Sequence, residues 1–193
     1  GAPKAIPHYY ADAAVIAYRL PEAEKTLAAL NPKITSSGGT FTLADLTDGD
    51  LAKTTLLPPK EIGEDMWIQF EFDQPQTFKA FTIVGAPAAG ELAEFRGMPD
   101  NRRLKVSDDG VNFRDVVVIR GSTVPQSTMG ILPTTAKVFR FTFKTEKPEG
   151  NPFGEMFGGS SQPGKPQGVP VAELVLHNTN RVDLFEQKAG FAA

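Results

Sequence analysis

Two stretches of this chain alternate apolar and polar residues so strictly that they leave little choice of secondary structure. In Trp67-Ile68-Gln69-Phe70-Glu71-Phe72-Asp73, one parity carries Ile68, Phe70 and Phe72, and the other carries Gln69, Glu71 and Asp73. Phe139-Arg140-Phe141-Thr142-Phe143-Lys144 repeats the scheme, with phenylalanine on one face and Arg140, Thr142 and Lys144 on the other. A period of two belongs to the β-strand, and one dry face opposite one wet face belongs to an antiparallel sheet packed on one side. Residues 78–84 are apolar on both parities, as in a central strand covered on both faces. Residues 13–19, 104–107, 115–119 and 171–177 supply further strands. Ser107-Asp108-Asp109-Gly110 places Asp-Gly where a tight hairpin needs a positive φ. Helical signals are confined to a turn or two at 21–25 and 43–46. The expected fold is all-β: an antiparallel jelly-roll β-sandwich occupying residues 1–193 as a single domain.

The aromatic balance fits that expectation, because 14 Phe stand against 1 Trp and 3 Tyr, and phenylalanine fills a dry core without a polar group to satisfy. With no cysteine there is no disulfide framework, thiol nucleophile or thiolate metal site. A net charge of -3 with dispersed basic residues argues against nucleic acid or an anionic membrane as partner. No stretch approaches the roughly 18 apolar residues of a spanning helix. Neither does a basic start followed by an apolar run mark an export signal, so the signal of an exported parent would lie upstream.

Three motifs then occur in order: Leu46-Thr47-Asp48-Gly49-Asp50, the Trp67 to Phe72 strand, and Leu104-Lys105-Val106-Ser107-Asp108-Asp109-Gly110-Val111-Asn112-Phe113. Together they resemble the galactose-binding-like group, which includes discoidin or coagulation-factor type C domains and family-32 carbohydrate-binding modules. The ends, residues 9–19 and 181–191, are similar to the segments flanking an internal sandwich domain in α-L-rhamnosidases of glycoside hydrolase family 106. The resemblance implies a non-catalytic accessory domain cut from a larger, exported (extracellular or periplasmic) glycoside hydrolase whose catalytic machinery lies elsewhere. Its partner would be a glycan or the parent's catalytic domain. An interdomain brace that binds no sugar is the alternative.

Within that frame, the Asp-Gly-Asp turn is the most informative polar feature, since Ca²⁺ takes converging carboxylate and carbonyl oxygens. The resemblance implies a structural Ca²⁺ held by Asp48, Asp50, Thr55 and Glu173, although the spacing from Asp50 to Thr55 departs from the usual pattern. An Asp-capped turn without metal is the competing reading. Trp67 offers an indole face to a sugar, but its place at the head of a strand argues for core packing. Sugar contacts are therefore expected in the long connections, from Phe95, Arg96, Phe153 and Phe157, with Arg102 bonding to hydroxyls. His8 and His177 stand far apart, so no histidine-dependent nucleophile can be assembled from sequence. Asp108 and Asp109 are adjacent in a hairpin and read as turn formers rather than as the opposed carboxylates of a glycosidase.

Overall fold

The computed structural model describes residues 25–85, 102–121, 124, 126–145 and 165–189. Among the described residues there are seven strands, all paired antiparallel: β1 (Lys33–Ser36), β2 (Thr55–Leu57), β3 (Asp65–Gly85), β4 (Arg102–Ser107), β5 (Arg114–Ile119), β6 (Gln126–Lys144) and β7 (Val169–His177). Two short helices, α1 (Leu27–Leu30) and α2 (Phe185–Lys188), and a 3-10 turn at Ala44–Leu46 accompany them. None of the described helices is long and apolar enough to cross a membrane.

The two longest strands serve both layers of the sandwich. The first half of β3 lies between β1 and the second half of β6, which continues to β4 and β5. The second half of β3 lies between the first half of β6 and β7, which continues to β2. Register slips between Glu71 and Gln76 and between Phe78 and Ala80 mark where the ladder changes layer. Pro75 falls in the first slip, and Pro133, on β6, falls opposite the second. Proline lacks the N–H that a ladder needs and is tolerated in a long strand only at such irregularities. The alternation predicts separate strands at 67–73 and 78–84; the bulge joins them into one bent strand.

The dry parity meets in the middle. Ile68, Phe70, Phe72, Phe139, Phe141 and Phe143 are all buried in one core together with Phe78 and Phe81 from the opposite layer. Their rings pack edge to face, Phe78 on Phe139 at 4.9 Å and Phe81 on Phe141 at 5.3 Å between centroids. That geometry suits the aromatic quadrupole, so packing and electrostatics agree. Residues 80–85 are buried on both parities, as their composition requires. The segment around α2 is tied to the neighbouring β6, where Leu184 N–H donates to the Thr128 carbonyl at 2.7 Å. The predicted strand at 13–19 lies outside the described residues. Strands β1 and β2 and the first half of β6 were not expected, because they are short or rich in Ser, Thr and Gly.

Candidate functional site

Trp67 and Gln69 have the opposite parity to Ile68 and Phe70, so they leave β3 on its outer side. Arg140 of β6 stands directly opposite Gln69 in register. Its Nε and Nη2 both donate to Gln69 Oε1, at 2.9 and 2.6 Å. The guanidinium carbon lies 4.5 Å from the Trp67 ring centroid and 3.7 Å from that of Phe113. Two rings therefore embrace one cation, which favours a fixed position for it. Burial lowers the Arg140 pKa, yet an arginine stays charged at any ordinary pH. Lys105 faces Arg140 from β4, with its ammonium 3.5 Å from Asp65 and 3.9 Å from Asp115, and Arg103 meets Asp115 at 3.1 Å. The outer face of the first layer is thus a cationic and aromatic patch. Core packing by Trp67, expected from its position at the head of a strand, is not what the fold does: its parity turns it out and leaves it half-buried under Arg140.

At one edge of the second layer the Asp48-Gly49-Asp50 turn sits against β7. Gly49 adopts φ +80°, a left-handed conformation that suits glycine, and its N–H donates to Glu173 Oε1 at 2.6 Å. Asp48 accepts from Asp50 N–H at 2.9 Å, and Asp50 from Ala52 N–H at 3.1 Å. The Lys53 ammonium bridges Asp48 at 3.0 Å and Asp45 at 3.2 Å. Hydrogen bonds, from Thr42 to Asp45 and from the Asp50 backbone to Asp48, together with Lys53, hold both carboxyls below their ordinary pKa. Thr55 stands in β2 opposite Val171, two residues from Glu173 along β7. The turn and Glu173 are brought together although 124 residues separate Gly49 from Glu173 in the chain. Among the described residues no group of three or more His, Cys, Asp or Glu side chains converges as a metal cluster. The oxygens suit a hard cation, and backbone carbonyls would have to complete its shell.

The hairpin behaves as its sequence requires. Gly110 has φ +77°, and Asp109 accepts from the N–H groups of Val111 and Asn112, from the Asn112 side chain and from Ser107 Oγ, all within 2.9 Å. The Asn112 backbone and side chain, then Val111 and Ser107, push the Asp109 pKa far down. A general acid needs the reverse shift. Behind the second layer runs a polar chain: His177 Nε2 lies 2.8 Å from Thr82 Oγ1, which lies 3.0 Å from Thr128 Oγ1. Buried Glu186 closes it by accepting from the Thr128 hydroxyl at 2.6 Å, the Thr128 N–H at 2.9 Å and Gln126 Nε2 at 3.0 Å. This chain fixes α2 to the sheet, a role that sequence gave no hint of.

Of the expected sugar contacts, Phe95, Arg96, Phe153 and Phe157 lie outside the described residues. Arg102 is described, and the expectation for it is corrected. It shares the inward parity of Leu104 and Val106, is 2% exposed, and donates from Nη2 to the Arg120 carbonyl at 2.8 Å. A guanidinium committed to the fold in this way cannot serve a sugar at the surface.

The sequence model of the family-106 glycoside hydrolases, α-L-rhamnosidases, matches residues 1–193. The chain belongs to that family. None of the curated proteins matches it in sequence. Among solved structures, a rhamnosidase from Novosphingobium sp. PP1Y shares this family member's fold with a TM-score of 0.58 at 20% identity, over 84% of this chain and 12% of its own. Chitosan-binding module 1 of a chitosanase/glucanase from Paenibacillus sp. IK-5 matches at a TM-score of 0.52 and 17% identity, over 80% of this chain and 98% of its own. The module CpGH89CBM32-6 of Clostridium perfringens matches at 0.53 and 16%, over 80% of this chain and the whole of its own. At such identities the likeness concerns the fold: the family-106 chain is an antiparallel β-sandwich of the kind seen in carbohydrate-binding modules.

Proposed function

We propose that this domain is a non-catalytic, carbohydrate-binding accessory unit of an exported α-L-rhamnosidase-like glycoside hydrolase. One observation carries the reading: the sandwich matches the chitosan-binding module over nearly all of that module, and it does so inside a chain of the rhamnosidase family. A glycan array on the purified domain tests it, with binding of at least one plant-polysaccharide oligomer expected. Silence on every glycan would overturn it in favour of the interdomain brace. That second reading is favoured by the Novosphingobium rhamnosidase, in which the matched region is a small part of a long chain.

We also propose that Ca²⁺ binds at the Asp-Gly-Asp turn, drawing oxygens from among Asp48, Asp50, Thr55 and Glu173 together with backbone carbonyls, with Lys53 as its internal competitor. A ligand that binds only the folded state raises its unfolding temperature. Saturating Ca²⁺ should therefore raise the midpoint relative to chelator, and more so in Lys53→Gln. Identical midpoints in both proteins would remove the site.

A further inference from the structure

We propose that the outer face of the first layer, centred on Arg140, binds the carboxylate of an acidic saccharide such as a uronate oligomer. The inference rests on the carbohydrate-binding reading and names its ligand class and position.

A guanidinium has two edges that present paired donors. In Arg140 the Nε and Nη2 edge is spent on a neutral amide oxygen, that of Gln69. The guanidinium carbon also lies 4.5 Å from the Trp67 ring centroid and 3.7 Å from that of Phe113, so two rings pack against the group. Among the described residues no carboxylate lies within ion-pair distance of it, whereas Arg103 and Lys105 beside it both meet Asp115. What remains is the Nη1 and Nη2 edge, which carries a full positive charge and is held still by ring contacts and two hydrogen bonds. Such an edge matches the two oxygens of a carboxylate, and its side chain loses little freedom on binding because it is already ordered. Lys105, opposite Arg140 on β4, adds a second cation on the same face. Its contacts to Asp65 at 3.5 Å and Asp115 at 3.9 Å are long enough for its ammonium to turn toward an incoming anion. The half-buried Trp67 provides an apolar neighbour for a sugar ring.

The test titrates the domain with oligogalacturonides and with the same oligomers after reduction of their carboxyls to alcohols. Calorimetry is run beside NMR observation of the arginine Nε–H signals. The wild type should bind the acidic oligomers, with the Arg140 signal shifting, and Arg140→Lys should lose at least about tenfold in affinity because lysine lacks the planar fork. Retained secondary structure in Arg140→Lys by circular dichroism shows that the loss is local, and the wild-type NMR shift stands even where that variant unfolds. Equal affinity for acidic and reduced oligomers, or a silent Arg140 signal during acidic binding, overturns the inference while leaving sugar binding intact. Failure to bind any oligomer, with silence on the array as well, overturns both readings and points to a carboxylate on a neighbouring protein surface as the occupant.

Discussion

The inner and outer faces of the β3 and β6 pair are built from the same two strands and obey different physics. Inside, Phe70, Phe72, Phe139 and Phe141 are fully or almost fully buried and pack with Phe78 and Phe81 in one core. Outside, half-buried Trp67 and Arg140 and buried Gln69 form a cluster whose order comes from a cation packed against two rings and from two hydrogen bonds. The inner face holds the fold, and the outer face holds a charge in place. Removing residues from one should unfold the protein, while removing them from the other should leave it folded but altered in what it recognises.

The largest effect belongs inside. Phe141→Ala deletes a ring that packs against both Phe70 and Phe81, and it should cost about 3–5 kcal/mol in denaturant unfolding. A cost near that of an exposed site would mean that the core can collapse around the gap. Glu186→Ala tests an outer face that the chain itself covers. The Thr128 N–H, the Thr128 hydroxyl and Gln126 would lose their acceptor, for an expected loss of about 1–3 kcal/mol. Trp67→Ala should cost only about 1 kcal/mol, chiefly through the lost stack on Arg140. A loss as large as that of Phe141→Ala would put Trp67 back in the core and break the comparison.

The smallest effect is a pH dependence at the hairpin. The folded pKa of Asp109 is depressed below its ordinary 3.8 by hydrogen bonds from Asn112, Val111 and Ser107. Its stabilising contribution is therefore complete above the unfolded value and fades as pH falls below it toward the folded one. Asp109→Asn should therefore lower stability at neutral pH, flatten the acid limb below about pH 4 and converge on the wild type in stronger acid. An unchanged acid limb would mean that the bonds to Asp109 do not outlast solvent exchange.

Strand parity was legible because period two is a local property: it placed Phe70 and Phe141 inside and Arg140 outside without knowledge of the partner strands. The same parity rule, applied to Trp67 and Arg102, would have placed the first outside and the second inside. Its place at the head of a strand pointed Trp67 to the core, and its place in a long connection pointed Arg102 to a sugar; the fold turns the first out and the second in. The bend of β3 was half legible, since Pro75 announces an interruption but not that the ladder resumes in the other layer. What depends on long-range register was not legible. The Arg140 stack needs Phe113 brought from the hairpin and Trp67 from β3, and the pinning of α2 needs Glu186 to meet Thr128, 58 residues away. The meeting of Glu173 with the Asp-Gly-Asp turn was foreseen only through family resemblance, because nothing local in either segment points to the other.

The central claim is that this sandwich binds sugar and leaves catalysis to other parts of its enzyme. Titration calorimetry of the purified domain against plant-polysaccharide oligomers, with a rhamnose-release assay on the same samples, tests it most directly. The account predicts measurable heat of binding with at least one oligomer and no rhamnose released by the domain alone. Turnover by the isolated domain, or absence of binding to every oligomer, would contradict it.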